Sequence, residues 1–178
     1  MTRPAHDTVG LPAIHVLLVD DDAFLLAMMV EILNDMQVAS IQIAHSGQEG
    51  LTVYRNSAQQ PNLIVCDLCM PELGGIEFLG QLAKERADAD IFIISGHNRT
   101  PPDDPNWGLA TYDGPVLHLA EKMARLQGLR VRGTFEKPIT RDTMLNMMQL
   151  LDTPMATKTP KTGSVRQRSR PQTGLRAG

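Results

Sequence analysis

The stretch IHVLLVDDD, residues 14–22, decides the fold class of this chain. Its first six residues form a mainly apolar run with the length and composition of a buried β-strand. Apolar residues then recur at helical spacing from Phe24 to Met36, and Asp22 fits the N-cap position of that helix. The stretch therefore predicts a strand that ends in an acidic turn and continues into a helix.

Four further pairs of a strand and a helix follow the first pair. Strands that alternate with helices and read as continuous apolar runs predict a parallel sheet covered by helices on both faces. We expect a doubly wound α/β fold with the flavodoxin-like strand order 2-1-3-4-5. The predicted strands are residues 40–44, 62–66, 91–94 and 129–135, and the predicted helices are residues 46–58, 76–86, 116–127 and 139–151.

Two of the predicted helices carry specific end signals. Ser46 followed by Glu49 is the pattern of a capping box, in which each residue satisfies a free backbone N–H at the helix start. Gly128 suits the position after a helix end, where a left-handed backbone conformation is common.

The composition divides the chain into three regions. Residues 1–12 read as a disordered lead-in, residues 13–153 as the folded domain, and residues 154–178 as a basic disordered tail. Six of the 17 basic residues and none of the 20 acidic ones lie in the last 24 residues, so the rest of the chain has a net charge of −9. A segment rich in proline and glycine, at about residues 98–115, reads as an insertion in the domain.

Hydropathy and cysteine usage favour a cytoplasmic protein without a membrane partner. No apolar run approaches the roughly 20 residues that span a bilayer, and the first residues lack the apolar core of a signal peptide. The two cysteines, Cys66 and Cys69, form no disulfide framework, which fits a reducing compartment.

Acidic residues stand at the carboxyl ends of two strands that the expected order makes neighbours. Asp20 and Asp21 follow the first strand, and Asp67 follows the third. Ligands of such sheets bind beyond the carboxyl ends of the strands, where the strand order reverses. Mg²⁺, a hard cation that prefers oxygen ligands, relieves the repulsion among three carboxylates in one crevice. The pattern predicts a Mg²⁺ pocket in which a carboxylate oxygen of Asp67 attacks phosphorus.

The ends of the fourth and fifth strands supply two further residues suited to phosphoryl chemistry. Ser95 offers a hydroxyl donor and Lys137 offers a positive charge. Both groups suit the phosphoryl oxygens, which gather negative charge during transfer. Four strand ends with such residues are a stronger signal than any one of them.

Four segments together resemble the receiver domain of two-component response regulators, of the kind found in chemotaxis regulators. They are VLLVDDD (16–22), LIVCDLCMP (63–71), IISG (93–96) and FEKP (135–138), and the resemblance covers roughly residues 13–152. The combination is specific, whereas an isolated pair of aspartates would not be.

The resemblance implies a role for each matching site residue. Asp67 would be the phosphoacceptor, Ser95 the switch hydroxyl and Lys137 the lysine that contacts the phosphoryl group. The peptide bond before Pro138 would be cis. Thr134 stands where an aromatic switch residue is common in the family.

The resemblance also implies the ligands of the Mg²⁺ ion. Asp21 would bind it directly, Asp20 would act largely through water, and Asp67 would contribute a carboxylate oxygen. The backbone carbonyl of Cys69 would complete the contacts that the protein makes with the metal.

The implied function is that of a stand-alone response regulator receiver in a phosphorelay. A sensor histidine kinase or a phosphotransfer protein would supply the phosphoryl group, and a downstream protein would bind the face formed by helix 4, strand 5 and helix 5. No enzymatic activity is expected beyond Mg²⁺-dependent self-phosphorylation and dephosphorylation at Asp67. No nucleic-acid partner is expected, because the basic tail has no aromatic residues for stacking on bases.

Three other hypotheses use the same residues differently. The chain could be an interaction module of receiver fold that works without phosphorylation. A phosphatase or phosphotransferase that uses Asp67 as its nucleophile would favour a second acid at position 69, where this chain has Cys69. Cys66 and Cys69 have the spacing of a redox motif, but Cys66 falls inside a predicted buried strand. His97 lies two residues past Ser95, near the predicted phosphoryl site or in solvent.

Overall fold

The computed structural model describes residues 13–96 and 113–152. The predicted lead-in and tail, His97 and most of the predicted insertion lie outside the described residues. Within those ranges the chain forms five strands and five helices in strict alternation. Their bounds are β1 His15–Val19, α1 Ala23–Asp35, β2 Ser40–Ala44, α2 Gly47–Asn56, β3 Leu63–Asp67, α3 Gly75–Lys84, β4 Asp90–Ser95, α4 Asp113–Leu126, β5 Arg130–Glu136 and α5 Arg141–Leu151.

All neighbouring strands pair in parallel, in the order β2-β1-β3-β4-β5. The strand order and the doubly wound α/β class predicted from the sequence are confirmed. The register pairs Val19 with Cys66 and Asp67 with Ile94, so β1, β3 and β4 end at the same edge of the sheet. This edge carries every residue of the predicted phosphoryl site.

Both faces of the sheet are buried, because alternate residues of the same strand serve two different apolar clusters. Leu17 of β1 belongs to a cluster that includes residues of α2, α3 and α4, and its neighbour Leu18 belongs to a cluster that includes residues of α1 and α5. All five residues of β3 are buried. The continuous apolar runs of the sequence therefore correspond to strands that are covered on both sides.

Side chains satisfy free N–H groups at the starts of α1 and α2. Asp22 accepts hydrogen bonds from the backbone N–H groups of Phe24 and Leu25, which confirms it as the N-cap of α1. Ser46 accepts from the Glu49 N–H, but the Glu49 carboxylate accepts from the N–H of His45 instead of Ser46. The predicted N-cap at Ser46 is therefore confirmed, but the return bond of the capping box goes to the residue before the cap.

Gly128 directs the chain from α4 into β5. Its φ angle is +94°, a conformation that costs other residues roughly 1–2 kcal/mol. The N–H of Gly128 donates to the Arg125 carbonyl, and the N–H of Leu129 donates to the Ala124 carbonyl, both at 3.1 Å. This pair of bonds is the Schellman motif, so the predicted role of Gly128 is confirmed.

The predicted start of α4 was wrong. The helix begins at Asp113, so Gly114 and Pro115 belong to its first turn instead of the insertion. Proline has no N–H to donate, but the first turn of a helix needs none. Within residues 13–96 and 113–152, no helix is long and apolar enough to cross a membrane.

Candidate functional site

Three aspartates converge at the carboxyl edge of the sheet. Asp20 and Asp21 directly follow β1, and Asp67 is the last residue of β3. One carboxylate oxygen from each lies within 4.8 Å of the others. Asp20 is 0% and Asp67 2% exposed, whereas Asp21 is half-buried. The sequence prediction that these carboxylates meet is confirmed.

The loop after Asp67 closes tightly because residue 75 is a glycine. A Cβ atom on Gly75 would lie 2.2 Å from the Asp67 carbonyl oxygen and 2.6 Å from the Leu68 Cα. The Gly75 N–H also donates to the Leu68 carbonyl at 3.1 Å. Glycine at this position therefore fixes how the chain leaves the acceptor strand.

Lys137 lies between two of the three carboxylates. Its Nζ atom is 2.8 Å from Asp20 Oδ2 and 2.9 Å from Asp67 Oδ2. The Lys137 N–H donates to the Ser95 carbonyl at 2.8 Å, and the following peptide bond to Pro138 is cis, as the resemblance implies. Burial by itself lowers the pKa of Lys137, but Asp67 and Asp20 outweigh it and the net shift is upward. The lysine is therefore firmly charged at neutral pH.

Asp20 carries its negative charge in an unfavourable environment. Burial is the main reason that its pKa is raised, and the charge of Asp67 adds to the effect. Opposing this, the Asp22 N–H donates to Asp20 Oδ1 at 2.9 Å, and the Lys137 ammonium contacts Oδ2 without a well-aligned hydrogen bond. The carboxylate is thus only partly compensated.

The charge balance of the pocket fits a divalent cation. Asp20, Asp21 and Asp67 supply three negative charges against the single positive charge of Lys137. Their carboxylate oxygens are hard donors of the type that Mg²⁺ and Ca²⁺ prefer. The donor set therefore suits the predicted metal, and Asp21 is the most accessible of the three carboxylates.

Ser95 and Cys69 form a contact beside the acceptor. Ser95 is the last residue of β4 and is 2% exposed. Its Oγ lies 3.6 Å from the Sγ of Cys69, whose N–H donates to Asp67 Oδ1 at 3.2 Å. Sequence reasoning assigned only the Cys69 carbonyl a role, and that role stays a prediction. The side-chain contact was missed because it depends on the path of the loop after β3.

A cavity of about 870 Å³ opens over these residues. Its apolar wall comes from the start of α1, where Phe24 is 80% exposed. Helical spacing alone places Phe24 in the apolar stripe of the helix, so this exposure was not predicted. The sequence carried one sign of this exposure. Phe24 comes two residues after the N-cap residue Asp22, at the edge of the sheet that carries the acidic residues. The cavity is lined by Asp21, Asp22, Ala23, Phe24, Leu25, Met28, Asp67, Cys69, Gly96, Lys137 and Pro138.

The two cysteines differ in environment. Cys66 is completely buried within β3, and burial first, then the charges of Asp67 and Asp20, raise the pKa of its thiol well above the ordinary value. Cys69 is exposed. A buried thiol that stays protonated cannot serve as a redox nucleophile, which opposes the redox hypothesis.

Comparisons with known proteins agree with this geometry. Residues 16–103 match the family described as the response regulator receiver domain. The chain is 33% identical over 95 residues to a probable C4-dicarboxylate response regulator DctR of Halalkalibacterium halodurans, covering 50% of this chain and 38% of that protein. This chain aligns with 38%, 59% and 23% of the lengths of three curated relatives, so it spans less than two thirds of each of them.

Solved structures share the fold. A response regulator from Colwellia psychrerythraea is 27% identical, with a TM-score of 0.59 over 78% of this chain and 96% of that chain. A chain of the CheX–CheY–BeF3–Mg²⁺ complex from Borrelia burgdorferi is 20% identical, with a TM-score of 0.61 over 79% of this chain and 90% of that chain. The second likeness shows the common fold alone.

Proposed function

We propose that this chain, whose residues 16–103 match the response regulator receiver domain family, is a signalling protein switched by phosphorylation of Asp67. The observation that carries the proposal is the position of the Asp67 carboxylate. It lines an open cavity, beside two further carboxylates and 2.9 Å from the Lys137 ammonium. This is the set of groups that phosphoryl transfer to a carboxylate requires.

In the proposed reaction a carboxylate oxygen of Asp67 attacks the phosphorus atom of a phosphohistidine. The new P–O bond forms as the P–N bond breaks, and the electron pair of that bond stays on the leaving imidazole nitrogen. Lys137 and the Ser95 hydroxyl would contact the oxygens on which negative charge accumulates. The donor would be a sensor histidine kinase or a phosphotransfer protein, and the cavity has room for a side chain of that partner.

We further propose Mg²⁺ as the cofactor of this site. Asp21 would bind it directly, Asp20 largely through water, and Asp67 and the Cys69 carbonyl would complete the ligands. When bound, the ion would neutralise negative charge on the transferring group. The partly compensated charge of Asp20 supports this assignment, because a further cation relieves it.

The proposed partner surface consists of α4, β5 and α5. Large apolar side chains are exposed on both helices, namely Leu119, Met123 and Leu126 of α4 and Leu145 of α5. Phosphorylation would replace the single negative charge of the Asp67 carboxylate with about two on the phosphoryl group. This change would draw the Ser95 hydroxyl toward the phosphoryl group and bias this face between two conformations. Thr134 of β5 would take the place of the more common aromatic residue in this change.

We propose that the receiver has no enzymatic activity other than phosphorylation and dephosphorylation of its own Asp67. The cytoplasm is the proposed compartment, because both cysteines are free thiols, as expected in a reducing environment.

Radiolabelled acetyl phosphate tests the proposal directly. With Mg²⁺ the wild-type protein should become labelled, and Asp67→Asn or the addition of EDTA should abolish labelling. Asp88→Asn is the matched control, because Asp88 precedes β4 at the opposite edge of the sheet and pairs with Arg130. Labelling that survives Asp67→Asn would refute the assignment of the acceptor.

A further inference from the structure

The exposed residue Cys69 connects the acceptor aspartate with the Ser95 hydroxyl. Its backbone N–H holds Asp67 Oδ1 at 3.2 Å, and its Sγ lies 3.6 Å from Ser95 Oγ. The Ser95 side chain is almost inaccessible to bulk water, which therefore cannot substitute freely for this partner. Within the described part of the chain, Cys69 is the side chain that forms a hydrogen bond with the Ser95 hydroxyl.

A thiol suits this position for two reasons. A C–S bond is longer than a C–O bond, so Sγ reaches a hydroxyl that the oxygen of a serine in the same rotamer would not reach. Thiols are also weak hydrogen-bonding groups. The contact can therefore orient the Ser95 hydroxyl and still release it to a stronger, charged acceptor such as a phosphoryl oxygen.

We propose that Cys69 is a positioning residue for phosphoryl transfer, whose Sγ selects the Ser95 rotamer directed at the acceptor loop. This inference rests on the proposed function of Asp67. Without Sγ, the Ser95 side chain would distribute over its three staggered rotamers. The rate of phosphorylation should then fall about two- to fivefold, which corresponds to the loss of one weak hydrogen bond.

A double-mutant cycle tests this inference. The initial rate of labelling by acetyl phosphate is measured for the wild type, Cys69→Ala, Ser95→Ala and the double variant. Cys69→Ala should slow labelling about two- to fivefold in the wild-type background and leave the rate of Ser95→Ala unchanged. Cys69→Ser should behave like Cys69→Ala, because its shorter side chain does not reach Ser95.

Two further measurements separate positioning from general damage. The Mg²⁺ concentration for half-maximal labelling should be the same in all Cys69 variants, because the backbone groups of residue 69 are unchanged. Cys66→Ala serves as the matched control: it removes the other thiol, which donates to the Asp67 backbone carbonyl instead of contacting Ser95. Any change in labelling rate caused by Cys66→Ala should be the same fold-change in the wild-type and the Ser95→Ala backgrounds.

The outcomes are distinct. Equal slowing by Cys69→Ala in both backgrounds, or no slowing in the wild-type background, would overturn the positioning role while leaving Asp67 as the acceptor. A wild-type protein that takes no label would overturn the proposed function and this inference together.

Discussion

Replacing Lys137 by methionine removes an ammonium group that contacts two buried carboxylates. Nζ lies 2.8 Å from Asp20 Oδ2 and 2.9 Å from Asp67 Oδ2, and the two aspartates are 0% and 2% exposed. Methionine keeps the apolar stem but leaves two like charges without this partner. Breaking a buried ion pair from one side costs roughly 3–5 kcal/mol. Because the Lys137 side chain is 20% exposed, we expect a loss near the lower limit, about 3 kcal/mol.

The loss should grow with pH. Burial, followed by the charge of Asp67, raises the pKa of Asp20 above 3.8 in the wild type, and removal of Lys137 should raise it further. Between 3.8 and the raised pKa the folded state binds more protons than the unfolded state, so stability falls as the pH rises. Lys137 has a raised pKa, so its own stabilisation is complete below 10.5 and is lost only above that value. The wild type therefore keeps this stabilisation at neutral pH.

Urea denaturation in EDTA at about pH 4.5 and pH 7.5 measures both effects. The variant should lose about 3 kcal/mol at the higher pH and clearly less at the lower one. Mg²⁺ at ten times its dissociation constant should restore about 1.4 kcal/mol. Arg130→Met, which removes a cation that is 44% exposed from Asp88 and Asp90, should cost within about 1 kcal/mol. An equal loss at both pH values, or none at pH 7.5, would refute the reasoning.

Two further predictions follow from glycine packing and thiol burial. Gly75→Ala should destabilise the fold by about 2–3 kcal/mol in urea denaturation, since its Cβ would lie 2.2 Å from the Asp67 carbonyl oxygen. Gly80→Ala is the control; its Cβ meets nothing within 4 Å, so stability should rise by up to about 1 kcal/mol, and a loss there would contradict the packing argument. Iodoacetamide followed by mass spectrometry should modify Cys69 in the native protein and Cys66 only after unfolding, and native labelling of Cys66 would show that β3 opens.

The convergence of the acidic residues was predictable from sequence because of one rule. Apolar runs that end in Asp20 and Asp67 read as parallel strands, and parallel strands end at one edge of a sheet. The strand order then fixes which ends are neighbours. Ser95 and Lys137 follow from the same rule, since β4 and β5 end at that edge as well. This part of the site depends only on backbone topology.

What the sequence left open depends on side-chain geometry and local turns. The breaker pattern at Gly114 and Pro115 predicted an insertion, but a proline fits the first turn of α4. The exposure of Phe24 was missed because periodicity describes a whole helix and not the turn beside the pocket. The contact between Cys69 and Ser95 was missed because it requires the path of a loop closed by Gly75.

The position of Lys137 changes what the proposed switch has to do. A lysine reserved for the phosphoryl group would be free before transfer, but here it already contacts Asp20 and Asp67. Phosphorylation of Asp67 would convert its carboxylate into an acyl phosphate with about two negative charges on the phosphoryl oxygens, so the lysine would exchange a singly charged partner for a doubly charged one. Asp20 would keep the ammonium nearby throughout the exchange. Its buried, incompletely compensated carboxylate therefore has two uses in the proposed function, to attract a divalent cation and to hold Lys137 within reach of the acceptor.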